Sequence, residues 1–329
     1  MTENWDLLGH EWAVDMLQQH ISRSTLRHAY LFSGPSGLGR RTLALRLAQA
    51  LNCTEPAAPG QPCGACRDCR QTESMRHPDL TIVQAETEGG TLKVDQVREV
   101  RRALSLKPYQ GRYRVAIFLR FQEASEGAAN ALLKTLEEAP EYAVLILTAD
   151  APEQLLPTVT SRCEVLRLRP LSVDMVETHL QAHGADPELA RLIAHVSGGR
   201  PGYALQLLKG ESALEFRAER LADLGGLLSC TRVHKFDYAE KMAKDKETMR
   251  QTLLVWSSFW RDVLLCASGA SAPIANIDQE KKVTALANTL ELGRAKQIVS
   301  NVELALQRLD RNVNARLLAE VLLLDLPEV

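Results

Sequence analysis

His28-Ala29-Tyr30-Leu31-Phe32-Ser33-Gly34-Pro35-Ser36-Gly37-Leu38-Gly39-Arg40-Arg41-Thr42-Leu43-Ala44 is the stretch on which the reading of this chain turns. His28 to Phe32 is a short apolar run of strand character, and Ser33 to Gly39 is a turn-rich loop. Arg40 to Leu51 has helical spacing, with Leu43, Ala44, Leu47, Ala48 and Leu51 on one side at steps of three and four. Strand, glycine loop and helix in that order are the setting of a phosphate-binding loop, in which Gly34, Gly37 and Gly39 let backbone N–H groups approach an anion at a helix N-terminus. A working loop follows its last glycine with Lys and then Ser or Thr; here those positions hold Arg40 and Arg41. Arg40 keeps the charge in a different shape. Arg41 removes the hydroxyl that would bind Mg²⁺ and puts a cation where the metal would sit, and Thr42 comes one residue too late. The loop is there; the metal chemistry is not.

Outward from this point the pattern repeats. Leu80 to Val83, Arg114 to Leu119, Ala143 to Leu147 and Val165 to Leu168 read as further strands. Helical faces lie between them, Val94-Val97-Val100-Leu104 and Ala129-Leu132-Leu133-Leu136, the second capped by Ser125. Alternating strands and helices predict an α/β domain with a parallel sheet over residues 1–168. The strand Val115 to Leu119 should end in acidic residues that hold Mg²⁺, but it runs into Arg120-Phe121-Gln122, with Glu123 and Glu126 read as solvated. After Pro170 the strands stop. A small helical domain is expected over 169–210 and a larger all-helical domain over 211–329, with long periodic stretches at Thr248 to Cys266 and Arg294 to Leu324.

Cys53, Cys63, Cys66 and Cys69 sit in an insertion at 53–69 with the spacing C-x9-C-x2-C-x2-C. Four thiolates so spaced suit one structural Zn²⁺ per chain, with no open position for catalysis. The chain has seven cysteines, an odd number with four clustered, which argues for a metal in a reducing cytoplasm over a disulfide framework. The remaining three, Cys163, Cys230 and Cys266, read as inert core residues. A net charge of −2 gives no global attraction to nucleic acid. Any such contact must be local; Arg98, Arg101 and Arg102 share one side of a helix and could meet phosphates, or form a solvated face paired with nearby acids. No apolar run is long enough to span a membrane, and the polar N-terminus lacks a secretory pattern, so a cytoplasmic protein is expected.

Several stretches together resemble the bacterial clamp-loader family within the AAA+ ATPases. Leu8-Gly9-His10, the strand and glycine loop, and the four cysteines come in that family's order, and Asn130 to Pro140 (NALLKTLEEAP) is similar to its most specific segment. Thr148 falls near a polar sensor position. Thr160-Ser161-Arg162-Cys163 matches a Ser-Arg-Cys motif whose arginine reaches the ATP site of the adjacent subunit, and Gly198-Gly199-Arg200-Pro201-Gly202 falls at a second-sensor arginine. Asn312 to Leu318 is similar to the end of the family's collar domain. The resemblance implies a ring of five with gamma/tau ATPase and delta subunits, serving a DNA-directed DNA polymerase, a nucleotidyltransferase complex. That ring loads the sliding clamp on primed DNA. It implies no membrane partner. Because the Lys-Thr and Asp-Glu pairs of the ATPase members are absent, the resemblance favours a non-hydrolysing member that supplies Arg162 in trans. Two alternatives stay open: a weak ATPase of the gamma/tau kind using Arg40 on phosphate, and a zinc-bearing nucleic-acid-binding module. ATP binding without turnover, through the loop and Arg200, also remains open.

Overall fold

The computed structural model describes residues 5–87, 89–310 and 313–327. Met1 to Asn4 and Asn312, both used in the reading above, lie outside them. The described chain divides into two compact units, residues 1–172 with 200–203, and residues 173–199 with 204–329.

The first unit is built on five parallel strands, β1 (Ala29–Ser33), β2 (Leu80–Val83), β3 (Arg114–Phe118), β4 (Ala143–Ala149) and β5 (Glu164–Arg167), in the order β2-β3-β4-β1-β5. Its helices are α1 (Glu11–Ser22), α2 (Arg40–Asn52), α3 (Arg67–Glu73), α4 (Val94–Leu104), α5 (Glu126–Glu137) and α6 (Pro157–Thr160). Alternation along each strand sorts the core into two layers. Tyr30, Phe32, Val115, Ile117, Val144, Ile146 and Leu166 face Leu17 of α1 and Leu43 and Leu47 of α2. Ala29, Leu31, Ala116, Phe118, Leu145 and Leu147 face Val97 and Val100 of α4 and Leu132 and Leu136 of α5. Both faces of the sheet are covered, as a parallel sheet requires. Ser125 caps α5 by accepting the Ala128 N–H, as its sequence position predicts.

The second unit is helical: α7 (Val173–Ala182), α8 (Pro187–Ser197), α9 (Pro201–Lys209), whose first residues belong to the first unit, α10 (Glu211–Ser229), α11 (Arg232–Met242), α12 (Lys246–Ala267), α13 (Glu280–Thr289), α14 (Leu292–Asp310) and α15 (Ala315–Leu324). Trp256, Phe259 and Trp260 of α12 form the centre of its core with Leu224, Ile298, Val302 and Leu322. The periodic stretch Arg294 to Leu324 is two helices, not one. Asn314 breaks it by accepting the Leu317 N–H as a new N-cap. Buried Asp262 accepts the N–H groups of Ala275 and Asn276 and so fixes the loop after α12.

Candidate functional site: a glycine loop, a four-cysteine cluster and an arginine on the far edge

The parallel sheet brings the carboxyl ends of β1, β3, β4 and β5 to one edge, where ligands of open α/β sheets sit. Gly34, Gly37 and Gly39 occupy that edge with φ of 141°, 88° and 93°, a region other residues rarely adopt. A Cβ at Gly34 would lie 2.5 Å from the Leu168 carbonyl oxygen. The loop therefore has positive-φ backbone at all three glycines, and neighbouring segments pack against it. The Gly202 N–H donates to the Gly37 carbonyl at 2.8 Å. Arg200 stacks on the Tyr203 ring with 4.5 Å from guanidinium carbon to ring centre. Arg40 is turned inward and buried, donating through Nη2 to Asp150 Oδ1 at 2.7 Å, while its Nη1 is buried without a hydrogen-bond partner.

Arg41 departs from expectation. Its exposed guanidinium leans on Met75 Sδ, so this position has lost the Mg²⁺-binding hydroxyl without setting its charge in the metal's place. Nor is Glu123 solvated. Its side chain is 11% exposed, and Oε1 accepts from Arg120 Nε at 2.8 Å and from the Gly89 N–H at 3.0 Å. Glu126 is exposed, as read. Arg120 has φ of 51°, and its N–H donates to Thr148 Oγ1 at 3.0 Å. The hydroxyl at the sensor position is thus occupied by the neighbouring strand end. Asp150, directly after β4, escaped the sequence reading; an acid at the carboxyl end of an apolar strand beside a phosphate loop was the available signal.

The four-cysteine insertion closes into a cluster. Cys53 caps the end of α2, Cys66 caps the start of α3, and Cys69 lies in its first turn. All four Sγ atoms lie within 4.8 Å of one another, with Cys53 and Cys66 4.0 Å apart. Tetrahedral zinc with Zn–S of about 2.3 Å sets sulfur–sulfur edges of about 3.8 Å. The donor set fits that metal. N–H groups of Cys63, Cys66 and Cys69 point at Cys53, Cys63 and Cys66 sulfurs at 3.3, 3.2 and 3.4 Å. Burial opposes ionisation of Cys66, but the Cys69 N–H and the Thr54 hydroxyl and N–H outweigh it and bring the thiol down to about 6. Burial pushes Cys53 and Cys69 up. A cation at the centre would overturn that penalty, because thiolates are the ligating form.

A buried network fastens the insertion to the sheet. His77 Nδ1 accepts the Asp79 N–H at 3.0 Å, so its other nitrogen carries the proton and donates to Asp68 Oδ1 at 3.0 Å. Gln110 Nε2 donates to the same oxygen at 2.6 Å, and Gln49 donates to the Cys69 carbonyl at 2.8 Å.

Arg162 occupies the other side of the sheet. It lies two residues before β5, which runs parallel to β1, so it sits at the amino edge, while the glycine loop leaves the carboxyl edge. Four strand residues at about 3.3 Å each already separate the two by about 13 Å. Arg162 cannot serve its own loop. Nη2 pairs with Glu137 Oε1 at 2.5 Å, and Nη1 donates to the Thr158 carbonyl at 2.9 Å. The surface partners to be expected from sequence, Glu164 and Glu153, are instead paired with Arg27 and Arg167. On α4, Arg98 pairs with Asp95 at 3.0 Å, while Arg101 and Arg102 are exposed and make no ion pair among the described residues.

Residues 9–172 match the family described as DNA polymerase III, delta subunit, and residues 212–328 match the C-terminal part of DNA polymerase III, delta subunit. DNA polymerase III subunit delta' of Bacillus subtilis (strain 168) is 32% identical over 321 residues, covering 96% of this chain and 95% of its own length. DNA polymerase III subunit tau of Escherichia coli (strain K12) is 34% identical over 210 residues, 61% of this chain and 32% of that protein, so this chain spans about a third of tau. Among solved structures, a DNA polymerase III gamma subunit-related protein from Thermotoga maritima aligns with 94% of this chain and 97% of its own, at 18% identity and a TM-score of 0.45.

Proposed function

This chain belongs to the DNA polymerase III delta-prime family of AAA+ clamp-loader subunits, and from that premise we propose that it hydrolyses no ATP itself and supplies Arg162 to the ATP site of a neighbouring ring subunit. The observation that carries the reading is the opposition of Arg162 and the chain's own phosphate loop across the sheet. An arginine at the amino edge is of no use to the loop at the carboxyl edge, but it is free to face another molecule.

The loop itself supports the first half of the proposal. Its lysine equivalent pairs with Asp150, and neither a hydroxyl nor an acidic pair stands ready for Mg²⁺. The partners on this reading are gamma/tau and delta subunits, with primed DNA and the sliding clamp reached through the assembled ring in the cytoplasm. Residues 1–168, 169–210 and 211–329 serve as ATPase-like, lid and collar domains. Zinc is the metal of the Cys53-Cys63-Cys66-Cys69 cluster. Arg101 and Arg102, rather than the ion-paired Arg98, are the α4 side chains left for nucleic-acid phosphates.

The test is DNA- and clamp-stimulated ATPase of a reconstituted ring in which only the site facing this chain is competent. Arg162→Ala should leave folding and assembly intact and reduce turnover at that site on the order of 10³-fold or more, as for arginines supplied in trans elsewhere. Unchanged turnover would make Arg162 a surface residue, whose exposed pair would contribute about 0–1 kcal/mol.

A further inference from the structure

Arg162 is held by acceptors on two different helices, with Ser161 Oγ as a longer third contact of Nη1 at 3.5 Å. Thr158 is the second residue of the four-residue α6, and its carbonyl receives Nη1 at 2.9 Å. Glu137 is the last residue of α5, and its Oε1 receives Nη2 at 2.5 Å. Leu132 and Leu136, fully buried beneath it, fix that end of α5 to the sheet. The two other acids near Arg162 in sequence are occupied elsewhere, Glu164 by Arg27 and Glu153 by Arg167, so neither competes for it.

We propose that Glu137 is the positioning residue of Arg162, setting the guanidinium in the orientation in which it meets a phosphate of the neighbouring subunit. The proposal rests on the reading of Arg162 as an arginine acting in trans. An unrestrained arginine must give up its rotamer freedom when it engages phosphate, and that loss subtracts from its contribution to the transition state. Here the side chain is already fixed before any partner arrives. A guanidinium carries five N–H donors; Thr158 and Ser161 take the two on Nη1 and Glu137 one on Nη2, so Nε–H and the second Nη2 hydrogen remain for phosphate oxygens. The side chain as a whole is 35% exposed. Glu137 itself stays with its own α5 and touches no substrate.

The experiment uses the same reconstituted ring, with only the ATP site facing this chain competent, and reads kcat and KM separately. Glu137→Ala should lower kcat on the order of three- to tenfold, the scale of one lost side-chain restraint, with KM unchanged. Glu137→Gln keeps an acceptor oxygen and should recover most of that loss. Glu138→Ala, the next and exposed residue, should change neither constant. With Arg162→Ala in place, adding Glu137→Ala should cost nothing more, since the arginine it positions is gone.

If Glu137→Ala leaves kcat unchanged while Arg162→Ala abolishes turnover, the trans role of Arg162 stands and its positioning by Glu137 is wrong. A rise in kcat would overturn the proposal too, since Glu137 would then restrain the arginine from its work. If Arg162→Ala is itself silent, both the trans reading and the positioning role fall.

Discussion

Asp79 has no solvent-exposed side chain, and it stays charged because the backbone pays it in donors. Burial pushes its carboxyl up, but N–H groups of Gly111, Tyr109 and Gln110 at 2.7 to 2.8 Å, with the Arg114 guanidinium, hold it below the usual carboxylate range. The same residue donates its N–H to His77, whose other nitrogen reaches Asp68, two links from the cysteine sulfurs. Nothing in sequence spacing announces this chain, since His77, Asp79 and Gln110 become neighbours only when the insertion folds against β2. The four cysteines announce themselves. Cys66→Ser should release zinc and raise hydrogen exchange over residues 53–69 while leaving β1, β3 and β4 protected, because metal binding in such sites contributes on the order of 10 kcal/mol to local folding. Elemental analysis of protein prepared without chelators would find no zinc if the cluster binds none.

At the scale of elements, the strand–loop–helix unit from Ala29 to Asn52 is legible residue by residue, because glycine spacing and helical periodicity are local signals. What occupies the loop is not local. Asp150 comes from the end of β4 and Gly202 from a segment far along the chain; the first takes up the Arg40 guanidinium and the second the Gly37 carbonyl. Restoring the lysine alone should therefore achieve nothing. Arg40→Lys in the isolated chain should show no Mg²⁺-dependent turnover, since position 41 still lacks a hydroxyl and β3 still runs on into Arg120. A steady-state assay giving about one turnover per second, low for an enzyme, and lost again on mutating Lys to Ala at that position, would reverse the reading of a non-hydrolysing loop. The helices α1 and α3 went unread. The first begins behind His10 in a left-handed conformation with no side-chain cap, and the second is seven residues long inside a metal loop, too short for periodicity to speak.

At the scale of the whole molecule, the last helix carries Leu317, Val321 and Leu324 at 57%, 48% and 43% exposure, three apolar residues at helical spacing on one face. A collar built from residues 211–329 would need such a face between ring members, which makes α15 the place to test. Val321→Glu should leave the thermal stability of the isolated chain within about 0.5 kcal/mol, as surface changes usually do, and weaken assembly measurably by sedimentation with its partner subunits. Undiminished assembly would exclude α15 from the contact. The sequence by itself determined the parallel α/β class, the glycine loop between β1 and α2, the helical second half and the identity of the four clustered cysteines. Each of these is written in residues near one another, where dihedral preference, periodicity and ligand spacing act directly. Only the tertiary structure decided the strand order, the capture of Arg40 by Asp150, the burial of Glu123 against Arg120, and the partner of Arg162. Those depend on which strand ends and helix ends meet across the sheet. A parallel sheet joins strands distant in sequence through buried crossovers, so the charges at its edges find partners that local spacing does not reveal.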